Sequence, residues 1–156
     1  MSKLAIIQIR GTINTTKPLQ DSFRSFNLQR KNSCVIVENS PEVLGRLLHL
    51  KDYVTWGEID EETLAELLRK RGRLAGNTLV SDGYFKEKIK TDINGFAKSF
   101  MEGKMKIKDV PGLKRFFRLT APLGGFERNG IKVPYSLGGS LGYRKQHINT
   151  LIRKMW

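Results

Sequence analysis

The chain has 156 residues, enough for one domain with a substantial core and too few for two complete ones. With 39% hydrophobic and 28% charged residues the composition is globular, and no apolar run nears the roughly 20 residues needed to cross a bilayer. A formal net charge of +13 points to a polyanionic partner, while a single cysteine, Cys34, excludes an internal disulfide and a multi-cysteine zinc site and fits a reducing, cytoplasmic setting.

Leu4 to Arg10 (LAIIQIR) is a short apolar run closed by Gly11. Cys34 to Glu38 (CVIVE) and Tyr53 to Ile59 (YVTWGEI) have the same character, so three strands are predicted. Between the first two, Pro18 opens a segment with Leu19, Phe23 and Phe26 at helical spacing. Between the second and third, Ser40 is placed to cap a helix and Pro41 fits its first turn. Val43, Leu44, Leu47 and Leu48 form its predicted buried stripe. The order is β-α-β-α-β, an α+β arrangement in which a small sheet carries both helices on one face.

From Asp60 the pattern is helical. DEETLAELLRKRG begins with acids and ends with bases and a glycine, with Leu64, Leu67 and Leu68 on one side. A second helix is predicted from Thr91 or Asp92 to Glu102, burying Ile93, Phe96, Ala97, Phe100 and Met101 and stopping at Gly103. Residues 72–90 carry no clear period. RFFRL (Arg115 to Leu119) predicts an extended segment. A last helix near Arg144 to Met155 turns Ile148, Leu151, Ile152 and Met155 inward, with Lys145, Asn149, Arg153 and Lys154 elsewhere. The chain thus reads as a compact core over 1–59, a helical extension over 60–111, and a basic Gly-rich loop with a C-terminal helix over 112–156. The loop is expected to be separable from the fold.

Charge is unevenly spread along these parts. Residues 1–59 carry 8 Lys/Arg against 5 Asp/Glu, residues 60–109 carry 11 against 9, and residues 110–156 carry 9 against 1. A solvated surface mixes signs, as the middle part does; the tail does not. Glycine permits close backbone approach and positive φ, so a basic loop with Gly124, Gly125, Gly138 and Gly139 is suited to follow an irregular phosphate surface. Arg118, Arg128, Lys132, Arg144 and Lys145 supply its charge. Phe126, Tyr135 and Tyr143 offer rings to unpaired bases, with docking onto the protein's own core as the competing fate.

A second basic set comes from the compact part: Arg10, Lys17, Arg24, Arg30 and Lys31, joined by Thr12, Asn14, Gln29 and Asn32. The run QRKN within it contains no acid. Groups for catalysis are scarce by comparison. Glu58, Asp60, Glu61 and Glu62 are explained by a helix's first turn, and neither His49 nor His147 has partners at metal-ligand spacing. LGGSLG (Leu137 to Gly142) lacks the GK[ST] ending of a phosphate loop. No metal, cofactor or small-molecule substrate is expected, and the chain is not expected to be an enzyme.

The β-α-β-α-β opening, KDYVTWGEID (Lys51 to Asp60), and the tail pieces FRLTAPLGGFE and GGSLGYRKQHINTLIRKM together resemble the archaeal and eukaryotic form of ribosomal large-subunit protein thirty, whose eukaryotic member is numbered seven. The resemblance covers essentially the whole chain. It implies a truncated ferredoxin-like core and a structural component of the large ribosomal subunit. It also implies contact with the large ribosomal RNA, a position near that subunit's small ribosomal RNA, and neighbouring ribosomal proteins. One departure is Leu123, where family tails often place a basic residue before the first GG. The alternatives are an RNA-modifying or RNA-cleaving enzyme and a non-ribosomal RNA-binding module.

Overall fold

The run LAII forms most of β1 (Lys3–Gln8), the central strand of a five-stranded sheet in a computed structural model that describes residues 3–156. After β1 come α1 (Lys17–Ser25), β2 (Ser33–Glu38), α2 (Pro41–Leu50) and β3 (Val54–Glu58). These give the predicted β-α-β-α-β order, to within a residue or two at each strand end. The helical part contains α3 (Glu61–Arg71), α4 (Asp82–Ile89) and α5 (Ile93–Met101). The tail adds β4 (Phe116–Arg118), β5 (Gly142–Tyr143) and α6 (His147–Met155).

The strand order is β4-β2-β1-β3-β5. β1 runs antiparallel to both β2 and β3, β4 is antiparallel to β2, and β5 is parallel to β3. Side chains alternate between the two faces. Leu4, Ile6, Val35, Val54 and Trp56 meet Phe23, Phe26, Leu28, Leu47 and Leu50 from the α1 and α2 side. Ala5, Ile7, Cys34 and Ile36 meet Leu64, Leu68, Phe96, Phe100, Ile148 and Ile152 on the other. β1 is apolar at consecutive positions because helices cover both its faces. The fold is therefore α+β in three layers, with α1 and α2 on one face, as predicted, and the later helices on the other.

Ser40 caps α2, its Oγ accepting from the Val43 N–H at 3.3 Å. The predicted stripe of α2 is corrected, however. Leu47 and Leu50 are fully buried, whereas Leu44 is 41% and Leu48 63% exposed. Helical spacing allows either Val43–Leu47–Leu50 or Leu44–Leu48 to face inward, and docking on the sheet uses the first edge.

The unclear stretch 72–90 holds a single 3-10 turn at Ala75–Asn77 and then α4, which brings Phe85 to 5.2 Å from the Phe96 ring centre. Asn149 is a second correction. It is buried, donating through Nδ2 to the Glu58 and Gln146 carbonyls and accepting at Oδ1 from the Asp60 N–H, each at 3.0 Å. It thereby ties α6 to the junction of β3 and α3. Gly57 makes this approach possible, since a Cβ there would overlap the Lys145 carbonyl oxygen.

The loop is built into the fold, contrary to the expectation that it is separable. Leu113, Phe117, Leu119 and Leu141 are core residues, and β4 and β5 form the two edges of the sheet. Cutting out residues 112–142 would remove β4, half of β5 and the core residues between them.

Candidate nucleic-acid interface

The register of the sheet sorts charge by end. Gln8 pairs with Val54, Ile7 with Cys34, Ser33 with Arg118 and Thr55 with Gly142, so these positions lie at one end of the sheet. Loops 9–16, 26–32, 51–53 and 119–141 all leave from that end. With Arg118 they carry Arg10, Arg30, Lys31, Lys51, Arg128 and Lys132, against only Asp52 and Glu127. The opposite end holds Glu38 and Glu58 and the acids Asp60, Glu61 and Glu62 that start α3. A polyanion approaching the first end meets cations from four loops with few acids among them.

The sequence groups Arg118 with the tail, but β4 delivers it to the first basic set. Asn32 organises the junction: its N–H donates to the Gln8 carbonyl at 2.7 Å, and its own carbonyl accepts from the Leu119 N–H at 2.9 Å. Its φ of 62° is left-handed, which asparagine tolerates better than most residues. Arg30 and Lys31 beside it are exposed and make no ion pair among the described residues. Arg10 lies half-buried, its Nη1 donating to the Asp52 carbonyl at 3.1 Å and its guanidinium 5.0 Å from the Tyr53 ring centre.

Gln29, Arg30, Arg118 and Asn27 line one small cleft. Thr12, Gln20, Arg24 and Gln29 line the next. Arg24 is exposed and pairs with Asp21 at 3.6 Å, a contact worth little at that exposure. Lys17 and Asn14 are exposed at the start of α1 and in the loop before it, and Thr12 is half-buried there.

The arm from Thr120 to Leu141 is built around its one acid. Arg144 is buried, and its guanidinium is consumed internally. Nη1 reaches Glu127 Oε1 at 2.5 Å, Nε donates to Thr55 Oγ1 at 2.8 Å, and Nη2 donates to the Ser140 carbonyl at 2.8 Å. Ser140 Oγ adds a bond to Glu127 Oε2 at 2.7 Å. Arg144 therefore does not join the solvent-facing cations; in this tail a single carboxylate recruits it inward. Burial pushes the Glu127 carboxyl up, but the bonds from Arg144 and Ser140 outweigh it and hold its pKa below the usual value.

The two glycine pairs do different things. Gly139 is buried, and a Cβ on it would overlap the Val133 carbonyl oxygen, so the arm's own fold requires it. A Cβ on Gly138 would press Asn129 Nδ2 at 2.9 Å. Gly124 and Gly125 instead have φ of 81° and 79°, with open space where a Cβ would be. Arg128, Lys132 and Lys145 are exposed. Of the tail aromatics, Phe126 packs on the core and Tyr135 lies 4.7 Å under the Arg144 guanidinium, whereas Tyr143, 6.5 Å from Trp56, stays 45% exposed. Among the described residues no three His, Cys, Asp or Glu side chains converge on a metal-binding arrangement.

The model of the family described as ribosomal protein L30p/L7e matches residues 4–54. Over 148 residues the chain is 45% identical to the large ribosomal subunit protein uL30 of Methanopyrus kandleri, covering 94% of this chain and 99% of that one. The protein of the same name from Methanococcus vannielii is 41% identical over 151 residues, 97% of each chain. That from Nanoarchaeum equitans is 41% identical over 152 residues, again 97% of each.

Proposed function

Because the chain belongs to the uL30 family of large ribosomal subunit proteins, as its full-length relatives establish, we propose that it is a structural constituent of that subunit and binds the large ribosomal RNA without catalysing a reaction. The binding surface is the basic end of the sheet: Arg10, Lys17, Arg24, Gln29, Arg30, Lys31 and Arg118, with the exposed part of the arm at Gly124, Gly125, Arg128 and Lys132; Lys145, exposed beyond β5, adds a cation outside that end. Thr12, Asn14 and Asn32 shape the loops between them. Arg144 and Gly139 act from inside by holding the arm in place. The protein works on the cytoplasmic ribosome, near the small ribosomal RNA of the large subunit and beside other ribosomal proteins.

One observation carries this reading: register brings cations from loops far apart in sequence to one end of the sheet, where few acids accompany them. Phosphate neutralisation is the main source of RNA affinity for such a surface. The non-catalytic part is supported by the arm's sole carboxylate, which is committed to Arg144 and leaves no acid pair among these cations.

The double variant Arg30→Ala/Lys31→Ala tests it. Both side chains are exposed, so stability should change by no more than about 0.5 kcal/mol. Affinity for deproteinised large-subunit RNA should fall about tenfold at moderate salt, and the salt slope should shrink by about one to two units. Wild-type affinity and slope in the double variant would assign this loop to bulk solvent.

A further inference from the structure

A cavity of about 200 Å³ opens beside β2, between the turn after α1 and the segment 106–108. Its floor is apolar, formed by Phe26, Val35, Val37, Phe100 and Ile107. Its rim carries Lys106, Lys108 and Arg115, none of which makes an ion pair within 4 Å among the described residues. Glu38 also lines the cavity but is engaged, accepting from Lys3 Nζ at 2.9 Å, and nearby Asp109 accepts from the Lys106 N–H at 2.7 Å. Asn27 stands at the mouth and also lines the adjoining cleft of Gln29, Arg30 and Arg118, so cavity and basic surface are continuous.

We propose that this cavity takes one unstacked nucleobase of the bound RNA, and the proposal rests on the RNA-binding reading above. A strand lying along Arg30 and Arg118 runs past Asn27 to three further cations that suit phosphates. Between them lies an apolar recess, which phosphate and ribose do not suit and the flat face of a base does. Its volume, below the ~300 Å³ at which drug-sized pockets begin, fits a single ring system and not a run of nucleotides. The Asn27 side-chain amide makes no hydrogen bond among the described residues, so both its donor and its acceptor are available to a base edge.

The test uses the full chain and deproteinised large-subunit ribosomal RNA. A photo-crosslinker attached at position 108 through Lys108→Cys, in a Cys34→Ser background, should join one unpaired nucleotide. An abasic substitution at that nucleotide should weaken wild-type binding about tenfold. The same substitution should leave unchanged the affinity of Asn27→Gly/Lys106→Ala/Lys108→Ala, which keeps the left-handed backbone of residue 27. Melting curves confirm that the variant is folded. If the rim variant weakens binding while the abasic RNA binds wild type normally, the cations hold phosphates only and the base pocket is overturned. In assembled subunits, a crosslink from position 108 to a protein neighbour overturns it as well. Both results leave the wider RNA-binding reading standing, because that reading fails separately, through wild-type binding by Arg30→Ala/Lys31→Ala.

Discussion

Two residues in this chain have their roles set by burial and not by their chemical type. Arg144 belongs to the most basic part of the sequence, yet its donors are used by Glu127, Thr55 and Ser140. Removing Arg144 leaves the half-buried Glu127 without its partner and the Ser140 carbonyl without its donor, so Arg144→Ala should destabilise the protein by about 1–3 kcal/mol in denaturant titration. Glu127→Gln keeps the shape and removes the charge. The folded-state pKa of Glu127 is depressed below its unfolded value, so its contribution is complete above about pH 4.3 and disappears as pH falls through the folded pKa. Wild type should therefore exceed Glu127→Gln in stability at neutral pH, and the gap should close on acidification. A gap constant down to strong acid would remove the ion pair from the explanation. Cys34 is the second case. Desolvation pushes its thiol up to about 12, so in the folded protein it should resist thiol reagents at neutral pH and react once urea unfolds the chain.

Among the elements, the two glycine pairs of the arm give opposed expectations. Gly139→Ala sets a methyl against the Val133 carbonyl and forces the arm's backbone to move. A loss of about 2 kcal/mol is expected, or about 4–8 °C in melting temperature for a domain of this size. Gly124→Ala meets no neighbour and carries only the left-handed backbone cost of about 1–2 kcal/mol. The first variant should melt lower than the second, and the reverse order would show that the arm does not pack as described. Elements with strong signals are legible in the residues: the three core strands are short runs rich in β-branched and apolar residues, and α1, α3 and α5 follow the 3.6-residue spacing. The rotation of α2 is not, because two apolar stripes are available on one helix. Nor is α4, whose eight residues send Phe85 alone into the buried core.

Over the full surface, the arrangement of charge predicts behaviour that the sum does not. If about five or six phosphates are met at the basic end, the logarithm of rRNA affinity should fall against the logarithm of salt with a slope of about −4 to −5. Reversing charge at the far end, as in Glu61→Lys/Glu62→Lys, should change that slope little, since those side chains sit across the sheet from the interface. A large change would mean that net charge, and not its placement, governs binding.

Short β-branched apolar runs and the 3.6-residue period are local signals, so the strands and most helices can be read from the residues alone. The sign of charge that suits a partner can be read the same way, since nine bases against one acid in the last 47 residues are a matter of counting. Which of those bases face outward, and which loops stand together, depends on packing between distant parts of the chain. Ser33 pairs with Arg118 and Thr55 with Gly142 across more than 80 residues, and no local pattern encodes such a register. Only that pairing moves Arg118 to Arg30 and Lys31. Only the closed arm makes Glu127 the sole acid within reach of Arg144, turning one expected phosphate contact into the bond that holds the others in place.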